Sequence, residues 1–130
     1  MITVTKEFSF CYGHHLPNYP GLCKNQHGHN SRLFVAVSGP GEQEKRNGMV
    51  CDFSILKKVV MKEVVDKLDH QNINDLTCGD SFEFKNMTDM PTAENMVAWI
   101  HYKLYKHFGT SLVSIRLYET PTSYCEWRRA

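Results

Sequence analysis

The spacing of apolar residues along this chain switches from a period of two to a period of four and back to two, which restricts it to strands set apart from helices. Residues 2–10 alternate, with Ile2, Val4, Phe8 and Phe10 on one parity and Lys6 interrupting it. Such alternation marks a strand with one buried face. A loop rich in Gly, Pro and Asn runs from Gly13 to Lys24. A second strand follows, in which Leu33, Val35 and Val37 share a parity up to the stop at Ser38-Gly39-Pro40-Gly41. Beyond the polar connection Glu42 to Asn47, Leu56, Val60, Val64 and Leu68 are four apart, and Val59 and Val65 widen the stripe. That pattern predicts an amphipathic helix over 53–70, capped by Asp52 or Ser54. Residues 71–91 hold no clear period beyond a candidate short strand near Phe82. Thr92 then reads as the N-cap of a second helix, with Glu94 in its first turn, Val97, Ile100, Leu104 and Phe108 on one face, and Gly109 at its end. Alternation returns through Val113, Ile115 and Leu117, and 124–128 reads as a last short strand.

The order β-β-α-α-β-β predicts an α+β fold, an antiparallel sheet with two helices on one face. Its other face is then left open, and an oligomer is expected to cover it. At 130 residues, without an internal repeat or a linker, the chain reads as a single domain over 1–130. Fifteen Lys and Arg against fourteen Asp and Glu leave a net charge of +1, which argues against a protein that holds nucleic acid or an anionic membrane by bulk electrostatics. No apolar run approaches the roughly 18 residues of a membrane span. The opening MITVTKEFSF lacks the basic-then-apolar order of a secretory signal. Five cysteines, at 11, 23, 51, 78 and 125, are odd in number and scattered, so a reducing, cytoplasmic setting is expected.

Four of the seven histidines fall between positions 14 and 29. His27 and His29 leave the same face of an extended strand and share the parity of Leu33, Val35 and Val37. His14 shares the inward parity of Phe8, Phe10 and Tyr12, while His15 points away. A single histidine on an apolar face is ordinarily a hydrogen-bonded core residue. Three of matching parity on neighbouring strands instead describe a zinc site with one open position. A cupin-like iron site is disfavoured because Asn30 to Val37 contains no carboxylate. Cys23 lies four residues before His27 and admits two roles, a thiolate base or nucleophile beside the metal, or a fourth ligand that closes a structural site. Asp69 and His70 end the first predicted helix and can face each other only if the helix stops there. Glu119 has the parity of Val113, Ile115 and Leu117, which aims a carboxylate at the buried face, where a structural donor or a ligand must meet it.

The segments FSFCYGHHL (8–16), CKNQHGHN (23–30), GMVCDFSILK (48–57), LDHQNIN (68–74), PTAENMVAWI (91–100) and YETPTS (118–123) together resemble the superfamily of 6-pyruvoyl-tetrahydropterin and 6-carboxy-tetrahydropterin synthases, in that family's order. The resemblance implies a tunnelling fold whose subunits join into barrels, as trimers paired into hexamers with active sites between subunits. It implies that His14, His27 and His29 bind Zn2+ and that Cys23 is the catalytic base or proton acceptor. Asp69 and His70 become an acid–base relay contributed by a neighbouring subunit, and Glu119, counted with the relay, anchors the pterin ring. The implied substrate is 7,8-dihydroneopterin triphosphate. The short chain, the compact 23–29 segment and Pro-Thr-Ala-Glu-Asn resemble the bacterial 6-carboxy enzymes, which release acetaldehyde and triphosphate on the way to queuosine. The alternatives are the 6-pyruvoyl product, with triphosphate alone released, and a non-catalytic, zinc-stabilised oligomer that binds a pterin. Lys24 and Arg32 are weak candidates for holding the triphosphate.

Overall fold

The computed structural model describes residues 1–39, 48–76 and 90–130. The candidate strand near Phe82, Cys78 and the connection 42–47 lie outside the described residues. Two long strands, β1 (Thr3–His14) and β2 (His27–Ser38), pair antiparallel along their whole length, from Thr3 opposite Ser38 to His14 opposite His27. Helix α1 (Phe53–Val60) follows, continued by a π turn (Met61–Val65) and the short α2 (Asp66–Leu68). Then come β3 (Gln71–Asn72), α3 (Ile73–Leu76), the long α4 (Ala93–Phe108), β4 (Leu112–Thr120) and β5 (Ser123–Arg128). The sheet order is β3-β1-β2-β4-β5. The α+β architecture is as expected, with one difference. The sheet has a fifth strand, and that strand runs parallel to β1, pairing Gln71 with Tyr12 and Asn72 with Gly13. Two residues are too few to carry a readable alternation.

The expected single helix over 53–70 is also corrected. On a straight α-helix a four-residue spacing overshoots each turn by about 40°, so a stripe of four such residues drifts by about 120°. The π turn, with its wider i→i+5 closure, takes up that drift. Leu56, Val60, Val64 and Leu68 are consequently all at 0% exposure. Asp52 caps the start by accepting from the Ser54 amide at 2.8 Å, and the helical run stops at Leu68. Helix α4 is capped by Thr92, whose Oγ1 accepts from the Asn95 amide, and stops at Gly109, whose φ of +53° is a conformation glycine adopts without a Cβ clash. Its core face is broader than the expected stripe, since Met96 and Trp99 are buried beside Val97, Ile100 and Leu104.

The core lies between the helices and one face of the sheet. Phe8, Phe10 and Tyr12 of β1, Leu33, Val35 and Val37 of β2, and Ile115 and Leu117 of β4 supply that face. Ile2, which shares their parity, precedes the strand and is exposed. The opposite face is polar and aromatic rather than apolar. Arg32 pairs with Glu7 at 3.2 Å and stacks over Tyr118, and Arg116 pairs with Glu126 at 3.2 Å while stacking over Tyr124. Among the described residues no helix is long and apolar enough to cross a membrane. The contrast within α1 gives a direct stability test. Leu56→Ala, at a site with 0% exposure, is expected to cost about 2–5 kcal/mol in urea unfolding. Ile55→Ala, one residue away at 55% exposure, should change stability by about 0.5 kcal/mol or less.

Candidate metal centre

The pairing of β1 with β2 sets His14 opposite His27 and Tyr12 opposite His29. Inward parity on both strands then gathers the three imidazoles at one end of the helix-covered face. Their ring centroids are 4.6 Å (His14–His27), 4.9 Å (His14–His29) and 4.9 Å (His27–His29) apart. One nitrogen from each lies within 4.8 Å of the others, and among the described residues this group alone gathers metal-binding atoms so closely. His14 is buried, and His27 and His29 are half-buried.

The outward nitrogens are all committed. His14 Nδ1 donates to the Pro91 carbonyl at 2.8 Å, just before α4, and His27 Nδ1 donates to the Asn25 carbonyl at 2.7 Å. His29 is held by the backbone carbonyl of Glu119. A carbonyl only accepts, so each such bond fixes the ring proton on the outer nitrogen and leaves a lone pair on the inner one. His14 Nε2 and His29 Nε2 then face each other at 3.0 Å. Burial lowers the pKa of both rings below that of an ordinary imidazole, which keeps them in the neutral form that ligates metals. Converging lone pairs backed by outer-shell carbonyls fit a nitrogen-binding divalent cation.

Glu119, near the end of β4, stands beside this cluster. Its Oε1 accepts from the Tyr12 hydroxyl at 3.3 Å and lies 3.9 Å from His14 Nε2. Burial, and then the neighbouring Glu119 charge, push the Tyr12 phenol well above its ordinary pKa. Tyr12 was legible in the sequence only as an inward-facing strand residue. Its hydroxyl is a site component that parity alone could not reveal, though a phenol on the face shared with His14 was the available signal. His15 does point away, bonding Gln26 through Nδ1 at 3.1 Å and Asn74 through its backbone.

Cys23 sits exposed on the 3-10 turn Leu22–Lys24, where its carbonyl accepts from the Leu16 amide. The structure does not bring its thiol into the three-histidine group. Asp69 and His70 do face each other, because the helical run ends at Leu68 and His70 takes a φ of +61°. Asp69 Oδ1 lies 2.9 Å from His70 Nδ1 and accepts from the Cys11 amide at 3.0 Å, while the His70 amide donates to the Cys11 carbonyl at 2.6 Å. The Cys11 amide, helped by His70, holds the Asp69 carboxyl below its ordinary pKa. The His70 ring is 79% exposed. It lines a cleft of about 460 Å³ with Ser9, Cys11 and Asn30, which belong to the open face of the sheet, whereas the three imidazoles occupy the covered face. Lys24 is exposed, and Arg32 is engaged with Glu7 on the open face.

Comparison with known proteins identifies a family. The sequence profile of the family described as 6-pyruvoyl tetrahydropterin synthase matches residues 3–130. A Haemophilus influenzae protein named 6-carboxy-5,6,7,8-tetrahydropterin synthase is 36% identical over 140 residues, covering 98% of this chain and 99% of its own. A Synechocystis protein of the same name is 37% identical over 125 residues, with 95% of this chain and 90% of its own covered. The solved structure of Caenorhabditis elegans 6-pyruvoyl tetrahydropterin synthase superposes with a TM-score of 0.74 at 26% identity, over 99% of this chain and 96% of that one. A match from Thr3 to the last residue, on a fold that gathers these three histidines, makes this chain a member of the 6-pyruvoyl tetrahydropterin synthase family.

Proposed function

We propose that this chain is a zinc-dependent lyase that converts 7,8-dihydroneopterin triphosphate to 6-carboxy-5,6,7,8-tetrahydropterin, releasing acetaldehyde and triphosphate, in the cytoplasmic synthesis of 7-deazapurines toward queuosine. The observation that carries this reading is the convergence of His14, His27 and His29 beside Glu119, in a chain whose full-length relatives bear the 6-carboxy name. His14, His27 and His29 hold the ion, which when bound polarises the side-chain oxygens of the substrate and acidifies the neighbouring C–H and O–H bonds. Glu119 anchors the pterin, whose guanidine-like edge offers two parallel N–H donors to one carboxylate. Cys23 moves one substrate proton, and its exposure on the turn before His27 leaves the thiol accessible. His70 moves a second proton, and ionised Asp69, bonded to Nδ1, fixes the ring so that Nε2 is the nitrogen that exchanges it.

An oligomer is part of the same proposal. Asp69 and His70 present to the open face of the sheet while the histidine cluster of the same chain lies on the covered one. In this reading a complete site takes its relay from a neighbouring subunit, in trimers that pair into a homohexamer, as the resemblance to the family implies. Mixing subunits tests this. Cys23→Ala and His70→Ala proteins should each be folded and zinc-loaded but slowed about 10²–10⁴-fold. Hybrids reassembled from the two should regain part of the activity, because some sites receive both intact residues. Hybrids that stay inactive would place the relay within one subunit.

Product identity decides the reaction. Zinc-loaded protein incubated with 7,8-dihydroneopterin triphosphate should yield a 6-carboxy pterin by mass, with acetaldehyde in matching amount. A 6-pyruvoyl product without acetaldehyde, the reaction named for the C. elegans neighbour, would move the protein to that branch and keep the site. Unchanged substrate with zinc bound would leave a pterin-binding oligomer.

Acid should empty the site in a specific range. His14 and His29 have folded pKa values below the ordinary imidazole value, so protons compete with the metal only below about pH 6.5. Zinc content after dialysis should hold from about pH 8 to about pH 6.5 and fall towards about pH 5. Loss beginning near neutral pH would contradict ligation by these two rings.

A further inference from the structure

The hydroxyl of Tyr12 lies inside the centre without belonging to the ligand group. Tyr12 is 3% exposed, its ring stands edge-on to His14 at 5.2 Å and tilted to His29 at 5.5 Å, and Oη donates to Glu119 Oε1 at 3.3 Å. That same oxygen is 3.9 Å from His14 Nε2. Two ligand atoms on one tetrahedral zinc ion, each at about 2.1 Å from it, stand about 3.4 Å apart. Glu119 Oε1 is thus about half an ångström beyond ligand spacing from His14, though it stands outside the group whose atoms all lie within 4.8 Å of one another, and carboxylates are good zinc ligands. Four protein ligands close a zinc site, whereas three leave a position for a substrate.

We propose that Tyr12 is a positioning residue whose hydroxyl tethers Glu119 Oε1 beside the three-histidine centre and prevents the carboxylate from becoming a fourth ligand. The inference rests on the reading of His14, His27 and His29 as the metal ligands. One metal position and the carboxylate itself both stay available to the substrate as a result. The side chain suits this task. A phenol is a donor throughout the neutral range, and its single proton is already directed at the oxygen nearest the ligand nitrogens. Its ring packs against two of the three imidazoles, so the tether is anchored to the histidines from which it holds Glu119 apart. Phenylalanine at this position would keep the packing and lose the tether.

The test is the rate at which zinc passes from the loaded protein to an excess of chelator, compared for wild type, Tyr12→Phe, Glu119→Gln and the double variant. Tyr12→Phe is expected to release zinc at least about 10-fold more slowly than wild type, because Glu119 closes the site. Its cobalt-substituted form should show an altered visible spectrum, and its turnover should fall. Glu119→Gln and the double variant should release zinc within about threefold of wild type, since the added ligand is absent from both. Release from Tyr12→Phe that is unchanged or faster, in protein folded by circular dichroism, would overturn the proposal, as a merely structural tyrosine would loosen the site. Glu119→Gln provides the second test should Tyr12→Phe fail to fold. Release about 10-fold faster than wild type would show Glu119 already ligating with Tyr12 in place. Wild-type protein that takes up no zinc would overturn the histidine reading, and the tether with it.

Discussion

The pairing of β1 with β2 is the interaction on which the rest of the molecule depends. Both strands have 12 residues and they pair from end to end. Side chains alternate faces along a strand, so a slip of one residue in either would turn its whole set to the other side. The apolar residues fix the register. Phe8 and Phe10 on β1 and Leu33, Val35 and Val37 on β2 must all face the helices to form the core. His14, His27 and His29 follow those residues to the same face. Core packing thus determines the geometry of the histidine cluster as well as the stability of the fold. The site needs no separate device to bring its histidines together.

The edge of β1 does similar work for the second constellation. At Cys11 the strand offers an amide and a carbonyl on its outer edge, and the chain leaving α2 takes both. The amide goes to Asp69 Oδ1 and the carbonyl to the His70 amide. A non-glycine residue in the left-handed region costs about 1–2 kcal/mol. At His70 that cost is offset by those two bonds and by the contact between Asp69 Oδ1 and His70 Nδ1. Two further residues pair with β1 before the chain turns away as α3. The short parallel strand is a clamp that stops the helix at Leu68 and sets the Asp69–His70 pair. The pair exists because the helix is cut there, since two successive residues inside a helix cannot face each other.

Legibility in the sequence followed the range of the forces involved. The alternation of Leu33, Val35 and Val37, the stripe through Leu56 and Leu68, and the caps at Asp52, Thr92 and Gly109 are each written within a few residues, and each was readable. The three-histidine cluster was readable as well, because parity is local and the strands are neighbours. What escaped was non-local. The π turn answers a four-residue spacing that looks like ordinary helix periodicity until the drift is summed over three turns. Strand β3 exists only through Cys11, Tyr12 and Gly13, some 60 residues earlier in the chain. The polar pairs of the open face, Arg32 with Glu7 and Arg116 with Glu126, join neighbouring strands and were not legible from alternation alone. Cys23 lies on a loop whose path no periodicity dictates, so the sequence left two roles open, and its thiol stands exposed outside the three-histidine group.

The inward surface of the centre is chemically one-sided, and that bears on what it can hold. Carbonyls of Pro91, Asn25 and Glu119 draw the histidine protons outward, so the nitrogens that converge are acceptors, and Glu119 adds a carboxylate beside them. Burial opposes relief by protonation, since it lowers the pKa of His14 and His29. An acceptor cluster that cannot readily gain protons is stabilised by a cation, and its neutral nitrogens select one with nitrogen affinity over a hard, oxygen-seeking ion. The Tyr12 hydroxyl is a donor within this group, and it is spent on Glu119. The carboxylate is thereby singled out from the other acceptors. The converging nitrogens are left as the group that could hold a metal ion, and the Tyr12 hydroxyl engages only one of the two Glu119 oxygens.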